Sequence, residues 1–469
     1  MENCHLKVTG LIVMVILIIQ PRFNSAELNK LLLVSFDGFR WDYLQRVPTP
    51  KFNALIKDGV QVKQVENVYI TKTYPNHYSM VTGLYAESHG VVANEMYDPK
   101  LNQTFSMHTM EEYDSRWWDE AEPLWVTNQK AGHRSGAAMW PGSDVEIRGT
   151  YPTHYLQYNS SVSFQARVQK LIDWFKNEGI NFGVLYWEEP DESGHSFGPE
   201  SHLMNAVITD IDEKLGFLVE QLKSADLYDI MNLVITSDHG MAEMSTSRII
   251  ELDNYVNGDL YTMIDKSPVV AILPKEGKFE EVYSALVNAN PNMTVYRKED
   301  IPDQYNYKQN ARIMPIIIEA KEGWTVLQNK NGTFLLGNHG YDNRLPSMHP
   351  VFVASGPAFH QGYRKDSMRS VDLYPLMCSI LGIQPSPNNG SLSNVQDLLK
   401  QTHPTHPVPH IPQVREPSYA WVLGSLLGIA LVIGFLIGFV KQVTYRQLPV
   451  VTHANLEIAQ PLLQDDLQI

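Results

Sequence analysis

Cysteine is almost missing: Cys4 and Cys378 are the only two in 469 residues. A disulfide-stapled scaffold is excluded, whatever the compartment. Positive charge is also short. Against 52 acidic residues stand 37 basic ones, a formal net charge of −15. That balance is poor for holding DNA or RNA by counterion release, so no nucleic-acid groove is expected. A small anionic substrate is not excluded, because a few cations reverse the sign locally. Hydrophobic residues make up 43% of the chain, enough to bury a core and to exclude wholesale disorder. No internal repeat is visible, and no Pro/Gly-rich linker divides residues 27–400, so one large domain with insertions is expected there.

Long apolar runs stand out only at the two ends. Lys7 precedes the run 11–19, and Ser25 and Ala26 follow, the pattern of a secretory signal over residues 1–26. Cleavage there would remove Cys4 and leave Cys378 without a partner, as a buried inert thiol. The second run, 420–440, holds 21 uncharged residues, the length that crosses roughly 30 Å of hydrocarbon. Tyr419 and Trp421 stand before it, and Lys441 and Arg446 after it. This pattern predicts a transmembrane helix at 419–440, a cytoplasmic tail at 441–469 and type I single-pass topology, with the catalytic part outside the cell. Sequons at Asn102, Asn159, Asn292, Asn331 and Asn389 all fall on that predicted outside face. Residues 401–418 are rich in proline and histidine and read as an extended stalk.

Between the ends, apolar runs alternate with helical patterns. The runs include KLLLVSF, RSGAAMW, INFGVLYW, MNLVITS, SPVVAILP and MPIIIEA. This alternation predicts an α/β fold with a largely parallel central sheet flanked by helices. Residues 201–225 form the longest helix candidate, with Leu203, Val207, Ile211, Leu215, Leu218 and Leu222 on one face.

The chemistry-bearing residues follow the apolar runs. KLLLVSF ends in Asp37, INFGVLYWEEP in Asp191 with His195 four further on, and MNLVITS in Asp238-His239-Gly240. Ligand sites in parallel sheets form at the carboxyl ends of strands, so these groups are expected at one edge. His339 lies between glycine-bearing turns in GNHG. Alone, a post-strand Asp is a turn or cap residue. Asp191 and His195 would share a face on a helix, but Gly194 argues for a loop. Together, three Asp and three His are enough for two ions, and mixed imidazole and carboxylate favours zinc. Thr73 precedes Tyr74-Pro75 at a predicted helix start. Such a threonine is either a simple cap or, beside a cation and a helix N-terminus, an activated nucleophile.

The segments LLLVSFDGFRWDYL, TKTYPNHYSMVTGLYAESHGVVAN, YWEEPDESGH, ITSDHGM and GNHGYDN resemble the ectonucleotide pyrophosphatase/phosphodiesterase family, of the alkaline phosphatase superfamily. The resemblance runs over about residues 30–399 and implies an alkaline-phosphatase-like fold. It implies two zinc ions, one held by Asp191, His195 and His339, the other by Asp37, Asp238 and His239 with Thr73 as reactive ligand. Thr73 would attack phosphorus in line, and water would then release the nucleoside monophosphate. Asn94 would hold a phosphoryl oxygen, Lys72 would meet phosphate, and Tyr74 and Tyr155 would clamp a nucleobase. Small nucleotide diesters or dinucleotides such as NAD are the implied substrates. The lipid-cleaving branch shares the metal site, so choline or lysophospholipid diesters remain an alternative, as does a cell-surface receptor with weak catalysis. Relatives place a Cys soon after SDHGM, whereas here AEMSTS follows, so that disulfide is not expected.

Overall fold

The computed structural model describes residues 29–400, except 108, 330 and 333, together with 434–439 and 441–442. The predicted signal segment, the stalk and all but two residues of the tail lie outside these. Contacts divide the chain into Met1–Lys400 and Gln401–Ile469.

An eight-stranded sheet organises the first unit. Its strands are β1 (Lys30–Phe36), β2 (Gly59–Glu66), β3 (Ser135–Ala138), β4 (His154–Leu156), β5 (Phe182–Trp187), β6 (Met231–Thr236), β7 (Phe352–Ser355) and β8 (Tyr363–Arg369). In space they run β8-β2-β7-β6-β1-β5-β3-β4. The sheet is mixed. β7 pairs antiparallel with both β2 and β6, and the other neighbours are parallel. The inserted β7 supplies the antiparallel pairs of an otherwise parallel sheet. SPVVAILP and MPIIIEA do not join this sheet. Their strands, Val269–Pro274 and Ile316–Ala320, pair antiparallel in a separate four-stranded sheet. Apolar content predicts that a segment is buried, not which sheet buries it.

The sequence of β1 shows why the sheet lies where it does. Its residues alternate between faces. Leu31 and Leu33 pack in one hydrophobic cluster, and Leu32, Val34 and Phe36 in another. Both faces are covered, so the strand reads as a continuous apolar run. The second cluster is completed by helix Met204–Ser224, which buries Ile208, Ile211, Leu215, Leu218 and Leu222. Cys378 is buried in helix Leu373–Leu381, and burial pushes its thiol up to about 12, as an inert thiol requires. Four sequon asparagines are exposed and Asn292 is half-buried.

The expected membrane topology is corrected. Among the described residues no helix is long and apolar enough to cross a membrane. Within the predicted span only 434–439 are described, as helix, with 441–442 beyond it. The type I assignment, and the extracellular placement that rested on it, are therefore withdrawn.

Arg312 locks a loop-rich region beside the main sheet. Its guanidinium bonds Asp98 at 2.8 Å and the carbonyls of Gly90, Trp117 and Arg116, and lies 4.9 Å from the Trp117 ring centre. Both charged groups are buried. Replacing Arg312 with Leu leaves Asp98 without its counter-charge and three carbonyls without this donor, and is expected to cost about 3–5 kcal/mol. Denaturant unfolding of Arg312→Leu beside the parent measures this; a change below about 1 kcal/mol would contradict it.

Candidate active site

Three strand ends deliver the carboxylates. Asp37 follows β1, and Gly38 turns the chain with φ +68° against the Asp191 backbone. Asp191 opens a short helix, Asp191–Phe197, so Asp191 and His195 do share a helical face despite Gly194. Met241 packs where a Gly194 side chain would stand, and this close approach explains the glycine without a loop. After β6 the strand stops, and Asp238 and His239 both turn into the site.

One carboxylate oxygen of each aspartate is anchored. Asp37 Oδ2 accepts from the Tyr186 hydroxyl at 2.6 Å. Asp238 Oδ1 accepts from Gly38 N–H at 3.2 Å and from the Ser237 hydroxyl at 3.0 Å. Asp191 Oδ2 lies 3.2 Å from His195 Nε2. The other oxygens, Asp37 Oδ1, Asp191 Oδ1 and Asp238 Oδ2, are buried without a hydrogen bond. Orphaned buried carboxylate oxygens are costly unless a cation meets them.

The three histidines share one arrangement. Nδ1 of His195 lies 2.8 Å from the Gly337 carbonyl, that of His239 2.9 Å from Gly240, and that of His339 2.9 Å from Thr71. A carbonyl only accepts, so each Nδ1 carries the proton and donates. Each Nε2 then faces the carboxylates: His239 Nε2 is 3.0 Å from Asp238 Oδ2 and 3.4 Å from Asp37 Oδ1, and His339 Nε2 is 3.5 Å from Asp191 Oδ1. The His239 and His339 rings stack with centres 3.4 Å apart. Backbone carbonyls that fix the ring so are the usual outer support of metal-ligating histidines.

Two overlapping groups could each hold a cation: Asp37, Asp238 and His239, and Asp191, His239 and His339. In the second, His239 takes the place expected for His195, which instead borders it through Asp191. The electrostatics agree with a missing positive charge. Burial, then Asp238 and Asp191, push Asp37 well above the usual carboxylate range. Burial opposes ionisation of Asp191 and Asp238 too, yet His195 and His339 hold the first below its ordinary value, and His239 and His77 the second. This donor set, with its unpaired buried oxygens, fits divalent cation binding.

Thr73 is the first residue of helix Thr73–Thr82. Its Oγ1 lies 3.4 Å from His239 Nε2, at the edge of the first cation group. Asn76, which sequence reading passed over, holds it there: its amide N–H donates to the Ile70 and Lys72 carbonyls and its Oδ1 accepts from Val68 N–H. His77 Nδ1 donates to the Thr73 carbonyl. The spacing T-x-x-N was a visible signal, since a buried Asn next to a helix start staples the preceding loop. Asn94 Oδ1 accepts from Tyr74 N–H at 3.0 Å, which leaves its N–H2 as the donor end. Lys72 is buried, and its ammonium donates to Asp265 Oδ2 at 2.6 Å and to the Lys266 carbonyl at 2.9 Å.

A cavity of about 250 Å³ opens beside Thr73, walled by Tyr74, Trp140, Asp144 and Tyr158 among others. The tyrosine pair is not the expected one. Tyr155 is 40% exposed, stacks on Tyr151 and is not part of this wall. Tyr155 belongs to edge strand β4, whereas Tyr158 follows it on irregular chain and reaches the cavity. No local pattern in the sequence separates the two. Tyr74 itself is clamped by Phe105 and Trp118 and donates to Glu112 Oε1 at 2.5 Å. Burial pushes Asp144 up to about 6.

Chelation is expected to lower the unfolding temperature by several degrees, and an excess of divalent cation to restore it, since a ligand at a hundred times its Kd adds about 2.7 kcal/mol. Asp238→Ala should lose that restoration. Equal restoration in parent and variant, read by calorimetry, would contradict the cation assignment.

The profile of the type I phosphodiesterase / nucleotide pyrophosphatase family matches residues 31–342. Human ectonucleotide pyrophosphatase/phosphodiesterase family member 5 is 57% identical over 450 residues, 93% of this chain and 94% of that protein. Human bis(5'-adenosyl)-triphosphatase is 52% identical over 380 residues, 80% of this chain and 83% of that protein. Among solved structures, murine ectonucleotide pyrophosphatase/phosphodiesterase 5 superimposes with a TM-score of 0.79 at 60% identity, covering 79% of this chain and all of that one. That structure is an inactive form with a threonine-to-alanine substitution, in complex with AMP. Matches of this extent, on an alkaline-phosphatase-like fold, place the chain in the type I phosphodiesterase / nucleotide pyrophosphatase family of hydrolases.

Proposed function

We propose that this chain is a two-zinc phosphodiesterase that hydrolyses small nucleotide diesters, dinucleotides such as NAD and diadenosine polyphosphates among them, through Thr73. The observation that carries this reading is that Thr73 Oγ1 lies 3.4 Å from His239 Nε2, the ligand atom common to two cation-sized groups that hold three unpaired carboxylate oxygens. Mixed imidazole and carboxylate donors favour zinc over oxygen-only cations. The murine relative supports the nucleotide half, since its structure holds AMP in a threonine-to-alanine form described as inactive.

Bound zinc would polarise the phosphoryl oxygens and stabilise charge on the attacking and leaving oxygens. Asp37, Asp238 and His239 would hold one ion; Asp191 and His339 would hold the other, with His195, which borders that group through Asp191, as its third ligand once His239 Nε2 serves the first. Thr73 Oγ1 attacks phosphorus, and the P–O bond to the leaving group breaks opposite it. Asn94, fixed through its Oδ1, donates its amide N–H to a non-bridging oxygen. The nucleobase enters the cavity between Tyr74 and Tyr158. Water then cleaves the threonine ester and frees the nucleoside monophosphate. Lys72 does not face phosphate as an unpaired ammonium. Tied to Asp265, it fixes the approach to Thr73.

Thr73→Ala should lower kcat by more than about a thousandfold while cation-dependent stability persists. Tyr158→Ala should raise KM for a nucleotide roughly tenfold, because stacking is worth about 1–3 kcal/mol per base. Tyr155→Ala should change KM less than twofold. Steady-state kinetics on a dinucleotide decide this, and parent-like turnover by Thr73→Ala would end the proposal.

A further inference from the structure

Two further cavities adjoin the cation groups, and neither is lined by Tyr74 or Tyr158. The nearer, of about 230 Å³, is bordered by His195, His339, Lys72 and Asn94. The farther, of about 510 Å³, lies within the size range of small-molecule sites, about 300–1,000 Å³. Lys266, Ser267 and Asn338 line both, so the two join in one path. Asn338 directly precedes His339 and accepts its backbone N–H at 2.9 Å, which ties the path to the cation groups. The Lys266 carbonyl receives the Lys72 ammonium, which ties the rim to the residue before Thr73.

Charge separates the farther cavity from the first, while in the nearer one Asp265 and Glu95 are each paired with a lysine, Lys72 and Lys266. The first is walled by Glu112, Asp144, Glu188 and Glu192 as well as the cation-site aspartates. Such a wall repels phosphate. Among the described residues that line the farther cavity, Lys266 is the only charged one. Its ammonium meets Glu95 Oε1 at 2.7 Å, with the side chain 72% exposed. An exposed pair of this kind is worth little, so the ammonium is available to a phosphate. Geometry adds a second argument. In-line displacement puts nucleophile and leaving group on opposite sides of phosphorus. Thr73 lines the first cavity and neither of the other two.

We propose that this path is a leaving-group subsite, which takes the phosphate-bearing second half of a dinucleotide. Lys266 meets its phosphates, and the nucleoside rests in the farther cavity against Met263 and Leu327, with amides from Gln328 and Asn338 in reach of its polar edge. The inference deepens the proposed function and rests on it. No added step is needed: the P–O bond breaks, the leaving phosphate keeps the electron pair, and one water is consumed overall. The substrate class that follows is a dinucleotide with a phosphorylated second nucleoside, rather than a diester with a small leaving group.

The test uses the cation-loaded protein and two substrates sharing one adenylyl half, diadenosine triphosphate and the nitrophenyl ester of AMP. Lys266→Gln should lower the ratio of kcat/KM for the first to that for the second about tenfold, as loss of a charge-assisted hydrogen bond predicts. The ratio of ADP to AMP affinity, measured by calorimetry, should fall by a similar factor. Ratios within twofold of the parent in both measurements would overturn the subsite. If the parent turns over neither substrate, the proposed function fails, and the ADP-to-AMP affinity ratio alone then decides the subsite.

Discussion

Three imidazole N–H groups bonded to backbone carbonyls set the character of this molecule. Each bond fixes a ring and a tautomer, and each sends an Nε2 lone pair toward the same small volume. The carbonyls belong to Gly337, Gly240 and Thr71, on three separate chain segments. The fold is therefore needed to assemble the site. β6 must stop at Thr236 for Asp238 and His239 to turn inward, and Gly240 must approach the Ser347 carbonyl so closely that a Cβ would lie 2.1 Å from it.

The carboxylates complete the constraint. Each spends one oxygen on a local donor and leaves the other bare in a buried place. Such an arrangement destabilises a cation-free protein, because like charges are packed with little water to screen them. It makes sense for a protein that carries bound cations, where the same atoms become ligands. The formal charge of −15 thus says little about how phosphate is received. What matters is the local separation: acids around the cavity beside Thr73, and Lys266 as the one charged group among the described residues lining the farther cavity.

Much of the site was legible because it sits where chain chemistry changes. Asp37, Asp191 and Asp238 end apolar runs, and a parallel sheet brings such ends to one edge. His339 stands out through its place between glycines in GNHG, whereas only the family resemblance marks Asn94. The misreadings have physical causes. Gly194 suggested a loop, but a helix tolerates glycine where a neighbour, here Met241, fills the space. The resemblance points to Tyr155, while the tyrosine that lines the cavity is Tyr158, and nothing local distinguishes two tyrosines three residues apart. SPVVAILP and MPIIIEA were buried as expected but in a second sheet, since pairing partners are set by contacts distant in sequence. Residues 420–440 have the length and polarity of a spanning segment, yet among the described residues no helix fulfils it.

The claim at the centre is that Thr73 is the group the cations and the helix N-terminus activate. Rapid quenching of the cation-loaded protein during turnover of diadenosine triphosphate, followed by mass spectrometry of the peptide around residue 73, tests it directly. The account predicts an adenylyl group on Thr73 in the parent and on no other residue. Turnover without such an adduct, or an adduct on a different side chain, would contradict it.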